Sequence, residues 1–171
     1  MKSLPKSIQI AVLVTTFCYL LTSPACTTSA NEISHLPSFT IPDEFLNKDL
    51  VVSAPSAWNN FNREENSIIL KVVLATEKQI AFAPDFNAEI YVYDNTKNEW
   101  EEIDNLGVYE SPPGEIILGS GETKIVVLMP DFSGTLPSQN VVMVLLSGYV
   151  FNDNHKTDTV IGSYIIIKLE H

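Results

Sequence analysis

Oxygen donors crowd into "NDNHKTD", residues 152 to 158. Asp153, Asn154 and Asp158 could give a calcium ion part of the six to eight oxygens it takes. The spacing lacks the central glycine and terminal glutamate of a helix-flanked calcium loop, so a calcium site here would draw distant ligands such as Asp94 or Asp131. The same residues also suit a hairpin loop whose side chains bond nearby amides. A second acidic group, Glu99, Glu101, Glu102 and Asp104, invites acid–base chemistry, which needs two carboxylates in different environments facing one cleft. In an extended chain successive side chains alternate faces, so a solvated strand edge is the simpler reading, and its charge would block stray strand pairing. "GSGETK" at 119 to 124 has glycines and a lysine but no following helix to hold a phosphate. His35, His155 and His171 are scattered, and no serine lies in a Gly-x-Ser-x-Gly turn. These residues predict a protein that is not an enzyme and uses no cofactor beyond calcium.

The elements that must position these residues are short. From Asp49 onward, β-branched and aromatic runs alternate with turn residues every 8 to 15 positions, and no 3.6-residue apolar stripe persists. "SIILKVVLA" sets Ile68, Leu70, Val72 and Leu74 on one face with Lys71 on the other. In "TVIGSYIIIKL", Ile161, Ile165, Ile167 and Leu169 share a face. "AEIYVYD" and "EWEEID" predict a hairpin in which Trp100 packs toward Tyr91 or Tyr93. "AFAPDF" and "VLMPDF" each end a strand in Pro-Asp-Phe. Proline stops the ladder, aspartate can close a turn, and Phe86 and Phe132 can cap the core. The pattern is all-β, a sandwich of about eight strands over residues 49–171.

The N-terminus reads as an export signal. Lys2 and Lys6 precede an apolar run from Ile8 to Leu21, right for a secretory leader and short for a membrane span of about 20 residues. The leader would occupy 1–25, followed by a tether over 26–48 containing Pro37 and Pro42. "SPAC" at 23 to 26 resembles the lipobox of bacterial lipoproteins at Ala25 and Cys26 and departs from it at Ser23 and Pro24. Ser23 and Ala25 equally suit an ordinary leader cleavage. Loss of the leader would remove Cys18 and leave Cys26 alone in an oxidising compartment, where acylation would spare it as a free thiol. The expected location is outside the cytoplasm, membrane-anchored at the cell surface or periplasmic face. With 10 basic residues against 21 acidic and a net charge of −11, nucleic acid is not an expected partner.

With "IYVYDNTKNEWEEIDN" and "GYVFNDN…VIGSYIIIKL", the domain resembles the immunoglobulin-like or fibronectin type III-like sandwiches of bacterial surface lipoproteins, in their disulfide-free form. The resemblance implies a binding or scaffolding module and no particular activity; the alternative is a calcium-stabilised accessory domain that binds glycan or a partner enzyme. One feature bears on partners. "VVMVLLSGYV" is apolar on both faces, with Val141, Met143 and Leu145 on the side that should face water, and "KIVVLM" behaves the same way. Such a face must be covered, either by the chain's own residues 36 to 62, which include Phe45, Trp58 and Phe61, or by another envelope protein.

Overall fold

The computed structural model describes residues 39–55, 61–62, 66–132 and 141–169, all within one compact unit, Pro37–His171. The leader, Cys26, His35, Trp58 and His171 lie outside the described residues. Among the described residues there are eleven strands and one 3₁₀ turn, Asp43–Phe45. In chain order the strands are β1 (Leu50–Ser53), β2 (Phe61–Asn62), β3 (Ser67–Leu74), β4 (Gln79–Phe82), β5 (Glu89–Asp94), β6 (Glu99–Ile103), β7 (Asn105–Val108), β8 (Ile116–Leu118), β9 (Thr123–Pro130), β10 (Val141–Asn152) and β11 (His155–Lys168).

They form two antiparallel sheets, an all-β sandwich compatible with an immunoglobulin-like domain. The first sheet runs β1-β3-β9-β7, with β2 beside the start of β3. The second is organised by β10. β11 pairs with β10 from Val141↔Lys168 to Asn152↔His155. The opposite edge of β10 is shared: β5 takes Val142 to Leu145 and β4 takes Tyr149 to Phe151. β6 and β8 lie outside β5 and β4. β4 and β5 thus read as one strand interrupted by residues 83–88.

That interruption explains the first Pro-Asp-Phe. Pro84 has no amide hydrogen for the ladder. The Asp85 carboxylate accepts the Asn87 amide at 3.0 Å, closing the turn. Phe86 and Asn87 both adopt left-handed backbone, at φ 60° and 44°, which is rare for a bulky residue. The conformation turns the Phe86 ring into the core, fully buried, 4.9 Å from Phe82. The Asn87 side-chain amide donates to the Ser147 carbonyl at 3.0 Å, and the Ser147 amide donates to the Phe86 carbonyl at 3.1 Å, so the gap in the ladder is bridged. Gly148 packs against the end of β4. A Cβ there would sit 2.6 Å from Ile80 Cγ2 and 2.9 Å from the Ala81 carbonyl. The second Pro-Asp-Phe closes β9. The Asp131 amide donates to the Asp104 carbonyl, and Phe132 packs against the core.

Alternation decides the interior. Ile68, Leu70, Val72 and Leu74 of β3 meet Val142, Val144 and Leu146 of β10 and Ile161 and Ile167 of β11 in one apolar cluster between the sheets. The outer side of β10 holds a second cluster. Met143 and Leu145 are fully buried there beneath Phe45, with Phe39, Ile41, Tyr91, Trp100 and Ile166 packed around them. The cover comes from the chain itself: residues 39–46 lie along the outer face of the second sheet, although the sequence places them in the tether. Phe45 fits because position 162 is glycine; a Cβ there would sit 2.6 Å from the Phe45 ring. Leu46 then bridges to Ser163 on the free edge of β11, and the chain passes to β1 in the first sheet. This strap supplies apolar contacts that no 2- or 3.6-residue period announces. On the first sheet the outer residues of "KIVVLM" differ: Ile125 is exposed, and Val127 and Met129 are half-buried.

Two further differences concern number and boundaries. The eleven strands exceed the expected eight or so because β2 and β7 are short pieces that β-propensity does not flag. "FNDNHKTD" is not an open loop. β10 continues through Asn152 and β11 starts at His155, leaving a two-residue turn in which Asp153 and Asn154 have φ of 47° and 62°. Both central residues are left-handed, as a type I′ hairpin requires, and Asn and Asp tolerate that best after glycine.

Candidate binding surface

The sequence-derived site residues fall in different places. Asp153 and Asn154 form the hairpin turn. Asp158 lies on β11 where the register shifts between Tyr149↔Val160 and Phe151↔Lys156. The shift is held by Thr157, whose hydroxyl donates to the Val150 carbonyl at 3.0 Å and accepts the Thr159 amide at 3.2 Å. Among the described residues, no three or more His, Cys, Asp or Glu side chains gather where they could hold a metal ion. Val141 is half-buried opposite Lys168, while Met143 and Leu145 lie wholly under the strap. The floor that the sequence marked as needing cover is therefore occupied by Phe45.

The carboxylates around Trp100 belong to the β5–β6 hairpin, with β6 at the sheet edge. Trp100 packs on Tyr93 at 5.5 Å between centroids. In the turn, Asp94 Oδ1 accepts the Thr96 hydroxyl and amide, each at 2.7 Å, and those bonds hold its pKa below the ordinary value. Lys97 pairs with Glu101, which raises the lysine pKa. Tyr91 is pushed up to about 12, first by burial and then by its hydrogen bond to Glu89; the Phe39 ring of the strap lies 4.9 Å from it. Each of these shifts follows from a turn or from the strap, and none marks a cleft.

The other half of the same sheet face is open. Past Ser147 and Gly162 the strap no longer covers it. Ile117 of β8, Ala81 of β4, Tyr149 of β10 and Val160 of β11 are direct cross-strand neighbours in one row. Of these, Ile117, Tyr149 and Val160 are 45%, 39% and 37% exposed. Phe151 shares the face of Tyr149 two residues on, about 7 Å along the strand. Lys156, opposite Phe151, reaches back so that its ammonium lies 5.4 Å from the Tyr149 ring centre, and it pairs with Glu115. Beside this aromatic pair is an open depression of about 550 Å³ lined by Glu77, Lys78, Gln79, Phe151, Asn152 and Asp153. Lys78 is anchored from outside by Asp49 at 3.2 Å.

Tyr149 and Phe151 were legible only as members of a two-sided apolar strand. Their exposure depends on where β4 replaces β5 along β10, and that depends on the 83–88 interruption.

Neither a protein-family model nor a curated protein matches the chain. The solved structure of the YadV chaperone is similar over 69% of this chain at 8% sequence identity, with a TM-score of 0.35. The match covers 50% of that structure's own chain, and a likeness at this level carries no functional argument.

Proposed function

We propose that this protein is a non-enzymatic binding module of immunoglobulin-like type, exported and held at the cell surface or periplasmic face of a membrane by a lipid on Cys26. The observation that carries the binding role is the division of one sheet face. The chain's own strap covers Met143 and Leu145 on one half, and the other half presents Tyr149, Ile117 and Val160 to solvent beside a depression lined by half-buried Phe151. Ligand sites of this kind combine apolar and aromatic walls with a few convergent polar groups, in volumes of roughly 300 to 1,000 Å³. The lone cysteine behind an apolar leader supports the anchor, and the acid excess argues against nucleic acid.

Two measurements test the two parts. Cys26→Ser should abolish labelling by a fatty-acid analogue and release the protein from membranes; unchanged membrane association would remove the anchor. A photo-crosslinking residue at position 149 should capture a cellular component that the same residue at position 124, on the other sheet, does not. Equal patterns at both positions would remove the binding surface.

A further inference from the structure

We infer that the open end of the second sheet binds an uncharged glycan, with Phe151 as the stacking floor and Gln79, Asn152, Asp153 and Glu77 as the polar rim; this rests on the binding reading above and names its ligand class.

The argument is one of matching chemistry. A pyranose presents an apolar face of C–H groups and a circumference of hydroxyls. The floor here is aromatic, the ring of Phe151. The rim is amide and carboxylate. An amide offers both a donor and acceptors, and a carboxylate accepts two hydroxyls at once. Gln79 and Asn152 supply the first kind, and Glu77 and Asp153 the second.

A protein partner fits less well. The buried centre of a protein interface is depleted of charge, whereas here Lys156 lies over the Tyr149 ring and pairs with Glu115 inside the patch. Charge also selects among glycans. Glu77 and Asp153 line the depression, the lysine beside them, Lys78, is paired with Asp49, and the chain carries −11 overall, so polymers of acidic sugars are repelled.

The test is native affinity electrophoresis of the detergent-solubilised full-length protein. The gels contain hydroxyethyl cellulose, xylan, mannan or soluble starch, with alginate as the anionic counterpart. At least one neutral polymer should retard the protein and alginate should not. Phe151→Ala should weaken that retardation tenfold or more. Gln79→Ala, an exposed change that spares the core, should weaken it several-fold, and Ile125→Ala on the opposite sheet should leave it intact. No retardation by any neutral polymer overturns the inference, as does retardation by alginate alone or full binding by folded Phe151→Ala and Gln79→Ala. Crosslinking of a protein at position 149 without glycan retardation would likewise overturn it while leaving the binding module in place; failure of both assays would remove both.

Discussion

Tyr91 shows how a single side chain reports on its cover. Its phenol sits between the Phe39 ring and the Glu89 carboxylate, and burial with that bond raises its pKa to about 12 from the ordinary 10. In the unfolded chain the proton leaves near pH 10; in the folded chain it stays until about 12. Between those values the unfolded state has shed a proton that the native state keeps, so stability falls as pH rises. Tyr91→Phe has no proton to lose there. Its urea midpoint should therefore decline less than the parent's between pH 10 and 12, and parallel curves for the two proteins would refute the assignment.

At the scale of elements, the strap and the strand it crosses depend on one another. The Phe45 ring occupies the space that a side chain at 162 would fill. Gly162→Ala should therefore destabilise by about 1 to 3 kcal/mol through overpacking. In a Phe45→Ala background the same change should cost much less, since the clashing ring is gone and neighbouring mutations couple. A cycle that closes additively would mean that the strap does not rest on Gly162. The elements also show what could be read in advance. Strict alternation placed β3 and the last third of β11 with the correct face inward, because a period of two is set by the pleat alone. The first Pro-Asp-Phe turn was legible because proline and aspartate act locally; at the second, Pro130 still pairs with Asn105, and only the packing of Phe132 on the core follows the expectation. The strap was not, since Phe39, Ile41 and Phe45 have meaning only against the outer face of β10. That face gave one usable warning, its two-sided apolar run, which stated a need for cover and left its source open. The hairpin was legible at "NDNHKTD", but its two-residue turn was not, because Lys156, Thr157 and Asp158 are polar residues on an exposed strand end that resemble a loop. The open site was hidden for a third reason: its floor is set by which strand flanks β10 at each point, a long-range fact.

For the whole molecule, one apolar cluster joins both sheets, and no disulfide pairs among the described residues, which contain no cysteine. Cooperative melting follows. Leu70→Ala, at the centre of the cluster, should cost roughly 2 to 5 kcal/mol through lost transfer energy and the cavity left behind. Far-UV dichroism and tryptophan fluorescence should shift together, because Trp100 sits on the second sheet while Leu70 is on the first. Separate transitions would divide the domain into independent parts. The place of β10 in the chain has a consequence for biosynthesis. It is the tenth of the eleven strands among the described residues, yet among them it alone joins β4 and β5 to β11, and β11 carries the bridge that seats Leu46. Until residues beyond 141 emerge, the second sheet consists of two unconnected strand pairs, and the strap made first has nowhere to lie. A nascent chain of this topology keeps its second sheet open until β10 has emerged, so the sheet closes in one late step rather than strand by strand.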